Sequence, residues 1–599
     1  MSLGATVRRH RTAILGLTAL FVGAGLWAAS TMPVAIFPEI AFHRIGIIAR
    51  ASNLPVEQTL TALTEPLEGA LSGVLGLETL RSKTTRGGTE LDLRFDWNEN
   101  MLAALQLVQS ATEGVRGSLP AGTEIETRLL DTSAFPIVGV AMTSSLRSLG
   151  ELSNLAIYEV VPRLRTVPGV YRVELSGAKI REYALTLDPE ALVAHRLDIA
   201  AVESAVRSAN QISAAGDVRS GHQLVLAIVD GQGAEPRSLL DVVVSTEGGV
   251  PVTLGEIARL ESTLREDFTR AAADGQTAVL IGVSRQPSGN AIAVSSGVRE
   301  RIGELSRTHP DVRFSMFYDQ ADIVHDAVAS VRDAISIGLV LAVATLLFFI
   351  ADLRTTLVAA AVIPATLLTS CVVLRALGMS FNLMTLGGIA AGIGLVLDDA
   401  IVVVENFHRH RLLGEEAGSA LEASTSEIAH ALLGSTLTPV AVLLPLSLLG
   451  QIPGAFFRPL AVTMSAALLV SLVLALTFTP ALTAAVEPPG VRRTRRGPGD
   501  RLSESLARGY ARVLRWMLDH RWVALAITGV FAVIGTLAYE RLETGFVPVM
   551  DEGTFILDYW SPPGTSLEET VRMLESVDAI LRDTPEVTNF SRRTGSELG

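Results

Sequence analysis

The sequence predicts an α-helical polytopic membrane domain with large α+β subdomains outside the membrane. Mean hydropathy over the 599 residues is +0.40, and only 19% of them are charged. Seven apolar runs each approach or exceed the roughly 20 residues that a helix needs to cross a bilayer. Residues 38–333 contain no comparable run, so we expect them to fold as water-exposed subdomains.

The apolar runs predict seven membrane spans. They cover residues 12–37, 334–351, 355–374, 379–406, 429–450, 459–486 and 522–539, so that the second to sixth spans form one block, 334–486. The short segments that would face the cytoplasm are rich in arginine, whereas the outer connections 375–378 and 451–458 hold one arginine each. In this orientation we expect residues 38–333 and 540–599 to lie outside the cytoplasm.

Two soluble segments have recognisable patterns. Residues 38–333 alternate strand-like pieces with amphipathic helical ones, which predicts two or three subdomains of βαβ type, since one core would be too large. Residues 487–521 form a cytoplasmic linker in which apolar residues recur at helical spacing between arginines. This pattern indicates an amphipathic helix on the inner membrane surface, or alternatively an ordinary solvated linker helix.

Composition excludes some classes of protein. The formal net charge of −13 argues against a nucleic acid partner. The single cysteine, Cys371, cannot form a disulfide within the chain, and its apolar surroundings favour a packing role. The ten histidines show no ligand spacing, so no metal site is expected from them.

Two adjacent carboxylates, Asp398 and Asp399, lie within the apolar run 379–406. Two charges about 100° apart on one helix in a low dielectric cannot both stay ionised cheaply, so the pair is a candidate proton-carrying site. The alternative is a structural polar pair satisfied by neighbouring helices. Glu405 follows Asp398 by seven residues on the same helix face and is either a proton exit group or a boundary carboxylate beside Asn406.

The chain contains the start of an internal repeat. Residues 10–38 and 520–548 both begin with His-Arg, continue with an apolar run and end in a Phe-Pro or Phe-Val-Pro motif. Transporters are often built from such parallel repeats. If the second copy equals the first, about five spans are missing after Gly599. We therefore expect the chain to be a fragment or a truncated gene product.

Several stretches together resemble the resistance-nodulation-division (RND) superfamily of efflux pumps. The most specific is Gly394–Asn406, which resembles the family's fourth membrane helix, where an aspartate pair takes up protons. Supporting stretches are Pro33–Pro38, Gly177–Pro189 and Phe381–Gly388. The resemblance extends over the whole chain, as the N-terminal half of a pump plus the start of its second half.

The resemblance implies an architecture and a set of partners. Residues 38–133 would form a first porter subdomain, 134–178 with 270–330 a second, 179–269 an inserted docking subdomain, and 540–599 the start of a third porter subdomain. It implies a homotrimer in the inner membrane with a large periplasmic domain, a periplasmic adaptor protein and an outer-membrane channel. The energy source would be the proton-motive force, with no cofactor, and a lysine from a later helix would pair with the aspartates.

The resemblance also suggests pocket residues. Phe135, Leu175 and Tyr318 correspond to positions that line the drug pocket in the family. The doubled aspartate resembles that of drug and organic-molecule exporters, so a hydrophobic or amphiphilic small molecule is the expected substrate. A heavy-metal exporter is an alternative, because metal-exporting relatives use methionines and this chain has Met379, Met384 and Met464 in or beside its apolar runs. Most single methionines in such runs are packing residues.

Other classes of protein fit less well. An intramembrane aspartyl protease needs aspartates on two facing helices, whereas both aspartates here lie in one helix, so we do not expect an enzyme. A non-transporting half-pump is a further alternative, and the end of the chain at Gly599 is its support.

Overall fold

The computed structural model describes residues 3–38, 40–51, 54–131, 135–220, 223–230, 235–247, 250–265, 269–287, 289–350, 352–486, 498–542, 553–562 and 564–595. Parts of several predictions therefore lie outside the described residues: the linker arginines at 492–496, the second Phe-Val-Pro motif at 546–548, and Gly599.

The first soluble unit is a four-stranded antiparallel sheet covered by helices. Its sheet order is β2-β3-β1-β4, and the helix that follows β1 contains a π-helical segment, Leu60–Thr64. Its elements are β1 (Ala41–Arg50), α3 (Val56–Thr59), α4 (Glu65–Leu71), β2 (Leu77–Thr85), β3 (Gly88–Phe95), α5 (Met101–Val115) and β4 (Glu124–Asp131).

Local sequence explains this unit. The side chain of Asn100 accepts hydrogen bonds from two amides of α5 and so begins that helix, while Met101, Ala104 and Val108 recur at helical spacing and are buried. They pack with the leucines and isoleucines of β1 and β3 in one core. Strand β3 lies between β1 and β2 and runs antiparallel to both, so the crossover from β1 to β2 joins parallel strands and skips one strand.

The second unit repeats this plan with one interruption. Its sheet order is β16-β5-β15-β6, and its core joins the strands to the helices on one face. A π-helical segment, Ala156–Val160, connects its first two helices. Its elements are β5 (Val138–Thr143), α6 (Leu149–Leu155), α7 (Val161–Arg165), β6 (Val170–Ser176), β15 (Val279–Arg285), α11 (Ala291–Thr308) and β16 (Arg313–Asp319).

The interruption is a smaller unit between β6 and β15. Strand β7 pairs with β12, β8 pairs with β9 as a long hairpin, and β10 pairs with β11. A separate small core holds this unit together. Its elements are β7 (Arg181–Leu187), α8 (Pro189–Ala194), α9 (Ile199–Ala209), β8 (Ile212–Ser220), β9 (Gln223–Asp230), β10 (Val243–Glu247), β11 (Val250–Thr253), α10 (Leu254–Ile257) and β12 (Ala258–Leu264).

A third, small sheet ties the end of the chain to the second unit. Strands β13 (Thr269–Ala273) and β14 (Gln276–Thr277) form a hairpin, and β17 (Ser591–Gly595) pairs antiparallel with β13. The helix before β17, α20 (Leu567–Asp583), contributes Asp578, whose buried carboxylate pairs with Arg592 at 2.9 Å.

The edges of the first two sheets meet through charged side chains. Strands β4 and β6 are both edge strands. Arg172 on β6 pairs with Glu126 on β4 and, at 2.9 Å, with Glu174 on its own strand, and Glu174 lies 3.7 Å from Arg128 of β4. The two sheets are therefore joined here by alternating ion pairs.

Within the described residues, seven helices are long and apolar enough to cross a membrane, judged by length and composition. They are Arg11–Thr31, Gln320–Thr345, Thr356–Ala376, Leu383–Arg411, Ala417–Ser447, Gln451–Val486 and Arg521–Arg541. The underlying helices are α2 (Arg11–Thr31), α12 (Gln320–Ile350), α13 (Leu353–Ala376), α14 (Leu383–Leu412), α15 (Ala417–Ser447), α16 (Gln451–Leu476), α17 (Phe478–Val486) and α19 (Arg521–Arg541). The remaining helices are α1 (Leu3–Arg9) and α18 (Pro498–Asp519), the latter within the predicted amphipathic linker.

Several helix ends differ from the ends of the apolar runs. Helix α12 starts at Gln320, directly after β16, whereas the apolar run starts only at 334, because the first turns of the helix contain polar and charged residues. Helix α14 starts at Leu383 rather than 379, because Gly378 has φ +70° and Asn382 caps the helix. The run 459–486 is not one helix, since the helix breaks at Thr477 between α16 and α17.

Candidate functional site

The aspartate pair lies in the middle of α14, and its two members have different surroundings. Asp399 is 6% exposed and faces α15, where the Thr436 hydroxyl lies 3.3 Å from Oδ1 and 3.4 Å from Oδ2. Asp398 is on the exposed side of the helix. The sequence does not distinguish the two carboxylates, whereas in the structure Asp399 is buried and Asp398 is exposed.

Small residues bring α16 close to the helix that carries the pair. A Cβ on Gly388 would lie 3.1 Å from the Leu460 carbonyl oxygen, and Gly392, one turn later, faces Ala467. On the same side, Ser471 of α16 donates a hydrogen bond to the Val396 carbonyl at 3.1 Å. Such close approach of small residues is how membrane helices pack, and it fixes the helix face that presents Asp399.

The C-terminal end of α14 carries a second polar cluster. Glu405 is exposed, on the same face as Asp398, and the buried polar residue beside it is Asn406, which donates to the Ser424 carbonyl at 3.1 Å and to Glu427 at 3.3 Å. Glu427 also accepts hydrogen bonds from Arg409 at 2.6 and 2.8 Å.

His410 completes this cluster by joining two carboxylates. Its Nδ1 lies 3.0 Å from Glu415 and its Nε2 lies 2.9 Å from Glu427. In the sequence, His410 lies between Arg409 and Arg411, a pattern that indicates only a basic cluster. It misses the neutralising carboxylate because Glu427 lies on the next helix, 17 residues away.

The three predicted pocket residues border one large cleft. The cleft has a volume of about 3230 Å³ and lies between the first two soluble units and the segment 553–595. Phe135, Leu175 and Tyr318 all line it. Phe135 is 63% exposed, whereas Leu175 also packs against the core of the second unit, so only part of its side chain is available to a ligand.

Further aromatic residues line the same cleft and were not predicted. They are Phe317, Phe555, Tyr559, Trp560 and Phe590. The low overall aromatic content, 5%, gave no reason to expect an aromatic pocket. These residues come from β16 and from the segment that contains α20, and no local pattern brings the two together.

The residues considered for a metal are not grouped. Met379 packs against an apolar cluster formed by Met32, Leu374 and Ile389. In the part of the chain that the structure describes, no group of three or more His, Cys, Asp or Glu side chains is placed to hold a metal ion. The chain has two lysines, Lys83 and Lys179, and both lie in the soluble units.

Long apolar helices, a carboxylate buried among them and soluble α+β units with a large cleft are features of a polytopic membrane transporter. The chain belongs to the AcrB/AcrD/AcrF family, within the RND superfamily, whose family model matches residues 3–599. Members of this family are transporters rather than enzymes.

Curated relatives carry the name multidrug resistance protein MdtC. The protein from Yersinia enterocolitica is 27% identical over 586 residues, covering 97% of this chain and 57% of that protein. Those from Pectobacterium atrosepticum and Escherichia coli are 27% and 26% identical over 593 and 578 residues, covering 98% and 95% of this chain and 58% and 56% of their own lengths. The chain thus spans a little over half the length of these relatives.

Proposed function

We propose that this protein takes part in proton-driven export of hydrophobic or amphiphilic small molecules across the inner membrane. The observation that carries the proposal is the carboxyl group of Asp399, 6% exposed within the apolar helices, with the hydroxyl of Thr436 beside it. A carboxylate in that setting costs several kcal/mol unless it can bind a proton. Its relatives' name, multidrug resistance protein, supports the choice of substrate class.

The Thr436 hydroxyl can serve both protonation states of Asp399. When Asp399 is ionised, it accepts a hydrogen bond from Thr436. When Asp399 is protonated, its O–H can donate to the Thr436 oxygen, which leaves the threonine proton to the Leu432 carbonyl at 2.8 Å. Proton binding thus changes which group accepts the Thr436 proton, and a helix movement linked to that change would couple protonation to transport.

The membrane potential can supply the free energy that coupling proton binding to substrate release requires. One proton that crosses the membrane potential releases about 2.3 kcal/mol per 100 mV. If the porter units have different substrate affinities in the two helix arrangements, reciprocal linkage couples proton binding to substrate release. Asp398, on the exposed side of α14, and Glu405, near its inner end, would complete the proton path.

The cleft suits substrates of varied shape. Its volume of about 3230 Å³ is several times the roughly 300–1,000 Å³ of a pocket that encloses one drug-sized ligand. Aromatic side chains and both signs of charge line it, including Phe317, Trp560, Arg86 and Glu124. Such a lining offers apolar contact for a ring system and polar contact for a substituent. Phe135, Leu175 and Tyr318 would contact substrate on the second unit's side.

The remaining assignments follow the family resemblance. Residues 38–133 and 134–178 with 270–330 would be porter subdomains, and 179–269 would reach a periplasmic adaptor protein and, through it, an outer-membrane channel. The seven long apolar helices would be spans, with 487–521 on the cytoplasmic side and 540–599 opening a third porter subdomain. The working assembly would be a homotrimer in the inner membrane, with its soluble units in the periplasm.

The proposal is tested with the protein as its gene encodes it, in cells that lack other exporters. Asp399→Asn and Asp398→Asn should each abolish efflux of a fluorescent amphiphile while leaving membrane insertion and assembly unchanged. The control is Asp519→Asn, at the end of α18 and outside the site. Efflux that persists in both site variants would refute the proton assignment.

A further inference from the structure

A short segment after α2 lies between the start of the aspartate helix and the start of a helix in the second soluble unit. We call this segment, Pro33–Ile36, the strap. Its backbone forms a parallel bridge with Phe381: the Phe381 amide donates to the Pro33 carbonyl at 2.8 Å, and the Ala35 amide donates to the Phe381 carbonyl at 2.9 Å.

The first turn of α14 is completed by the strap. The amides of Met384 and Thr385 donate to the Asn382 side chain, both at 3.0 Å. The amide of the first helical residue, Leu383, instead donates to the Ile36 carbonyl of the strap at 3.0 Å. Amides in a first turn lack partners within the helix, so these bonds satisfy them from outside.

Helix α11 of the second unit begins in the same way. The amides of Ile292 and Ala293 donate to the Asn290 side chain at 3.0 and 3.2 Å. The amide of the first residue, Ala291, donates to the Val34 carbonyl of the strap at 3.1 Å. Two helices from different units therefore place the same amide, that of their first residue, on carbonyls two residues apart in one strap.

The strap is buried and its backbone is constrained. Ala35 and Ile36 are 6% and 3% exposed, and the prolines at 33 and 38 fix the backbone on either side of the apolar residues. Met32, the residue before the strap, is 1% exposed and packs against Ile389 and Ile393 of α14, the second of which lies within two turns of Asp398. Both side-chain packing and backbone hydrogen bonds therefore connect α14 to the strap.

We propose that the strap is the positioning link that passes a proton-driven displacement of α14 to α11 of the second unit. This inference rests on the proposed function, since that function supplies the displacement. Helix α11 carries Val294, Val298 and Ile302 of the second unit's core, so a shift at its start moves the sheet that borders the cleft.

Proline substitution removes each link singly. Proline is tolerated at the first position of a helix, where its missing N–H has no intrahelical partner. Leu383→Pro removes the bond to Ile36, and Ala291→Pro removes the bond to Val34. The preceding residues, Asn382 and Asn290, already have extended backbones, as a residue before proline requires. The matched control is Ala417→Pro, at the first position of α15 after the extended Glu416.

The readout is a distance between spin labels, measured on the protein as its gene encodes it. In a Cys371→Ser background, cysteines replace Ser296, exposed on α11, and Leu377, 59% exposed just after α13. We expect the label distance to change on acidification, and Asp399→Asn to abolish that change. Leu383→Pro and Ala291→Pro should each remove at least half of it, whereas Ala417→Pro should retain it.

The possible outcomes distinguish failure of the proposed proton function from failure of the strap inference. If the distance does not respond to acid, or still responds in Asp399→Asn, the proposed proton function fails and the strap has nothing to transmit. If the response depends on Asp399 but survives in both strap variants, the strap inference is overturned and the proposed function stands. Loss of the response in Ala417→Pro as well would also overturn it, because any helix-start proline would then suffice. Should one strap variant fail to insert, the other decides.

Discussion

The Thr436 hydroxyl has one proton and three acceptors within reach. The Leu432 carbonyl lies at 2.8 Å, and the two Asp399 oxygens at 3.3 and 3.4 Å. One hydroxyl proton can satisfy one acceptor well, so the carboxyl and the helix backbone compete for it. The Thr436 hydroxyl, next to the proposed proton site, can therefore point its proton either at the Asp399 carboxyl or at the Leu432 carbonyl.

Replacing Thr436 tests that competition. Thr436→Val keeps the branched shape but removes the hydroxyl, and a hydrogen bond to a charged group contributes about 1.5–3 kcal/mol. We expect transport to fall by about tenfold or more. Thr438→Val on the exposed side of the same helix, where the hydroxyl bonds only its own helix in the contacts described, should leave transport near the parent level. Equal transport in the two variants would contradict the role of Thr436.

An ion pair in the second unit has a defined pH dependence. The Arg147 guanidinium donates to both oxygens of Asp311, one at 3.2 Å, and this bond holds the pKa of Asp311 below its usual value. A carboxylate with a lowered pKa in the folded state stabilises the fold above its unfolded pKa, and that contribution disappears as the pH falls through the folded value.

Replacing Asp311 should remove this stabilisation, and the loss should depend on pH in the same way. Asp311→Asn should lower the Tm of the protein near neutral pH, and the difference from the parent should close below about pH 4. Thermal unfolding followed by intrinsic fluorescence at several pH values provides the measurement. Glu261→Gln, at an exposed carboxylate on β12, is the control and should show no such pH-dependent gap. A gap that stays constant into acid would rule out the ion pair as its cause.

At the residue scale, a site can be predicted from the sequence when its residues are unusual within their own stretch of chain. Asp398 and Asp399 were predicted because a charge inside an apolar run is visible in one window. Thr436 was missed because it is 37 residues from Asp399 and is an ordinary residue in its own run. The five additional cleft aromatics were missed for the same reason, because tertiary contacts bring them together.

At the scale of elements, apolar runs located the long helices but not their ends. Polar first turns extend α12 back to Gln320, and a side-chain cap starts α14 at Leu383. Hydropathy measures what contacts lipid, whereas a helix ends where its backbone amides and carbonyls find other partners. This is why the strap, which satisfies two helix starts, was not predicted from composition.

Helix α2 packs closely against α13 at a single glycine. A Cβ on Gly25 would lie 2.0 Å from the Leu368 carbonyl oxygen, whereas one on Gly23 would meet nothing within 4 Å. Gly25→Ala should therefore force the two helices apart and destabilise the protein by about 1–3 kcal/mol, as overpacking does. Gly23→Ala, on the same helix, should be neutral or slightly stabilising because alanine favours a helix. Thermal unfolding in detergent compares the two, and equal stability would contradict the close packing.

The orientation of the whole molecule in the membrane can be tested by labelling single introduced cysteines after Cys371 has been replaced. In a Cys371→Ser background, Leu413→Cys and Leu75→Cys place thiols at sites that are 72% and 76% exposed, just after α14 and in the first soluble unit. The proposed topology puts Leu413 inside the cell and Leu75 outside the inner membrane. A membrane-impermeant maleimide should label only Leu75→Cys in spheroplasts and both after lysis. Labelling of Leu413→Cys in intact spheroplasts would exclude the seven-span arrangement.

The ion pairs between β4 and β6 have a consequence for how the soluble units behave as bodies. Two sheets that meet at unpaired edges can fuse through a backbone ladder, and charged side chains are one way that proteins prevent this. Glu126 and Arg128 alternate on one edge, and Arg172 and Glu174 alternate on the other. A slip of two residues, roughly 6.6 Å along a strand, would bring like charges together, with Arg128 opposite Arg172 or Glu126 opposite Glu174. The charge pattern therefore fixes the register in which the two edges meet, although no backbone ladder joins the two sheets there.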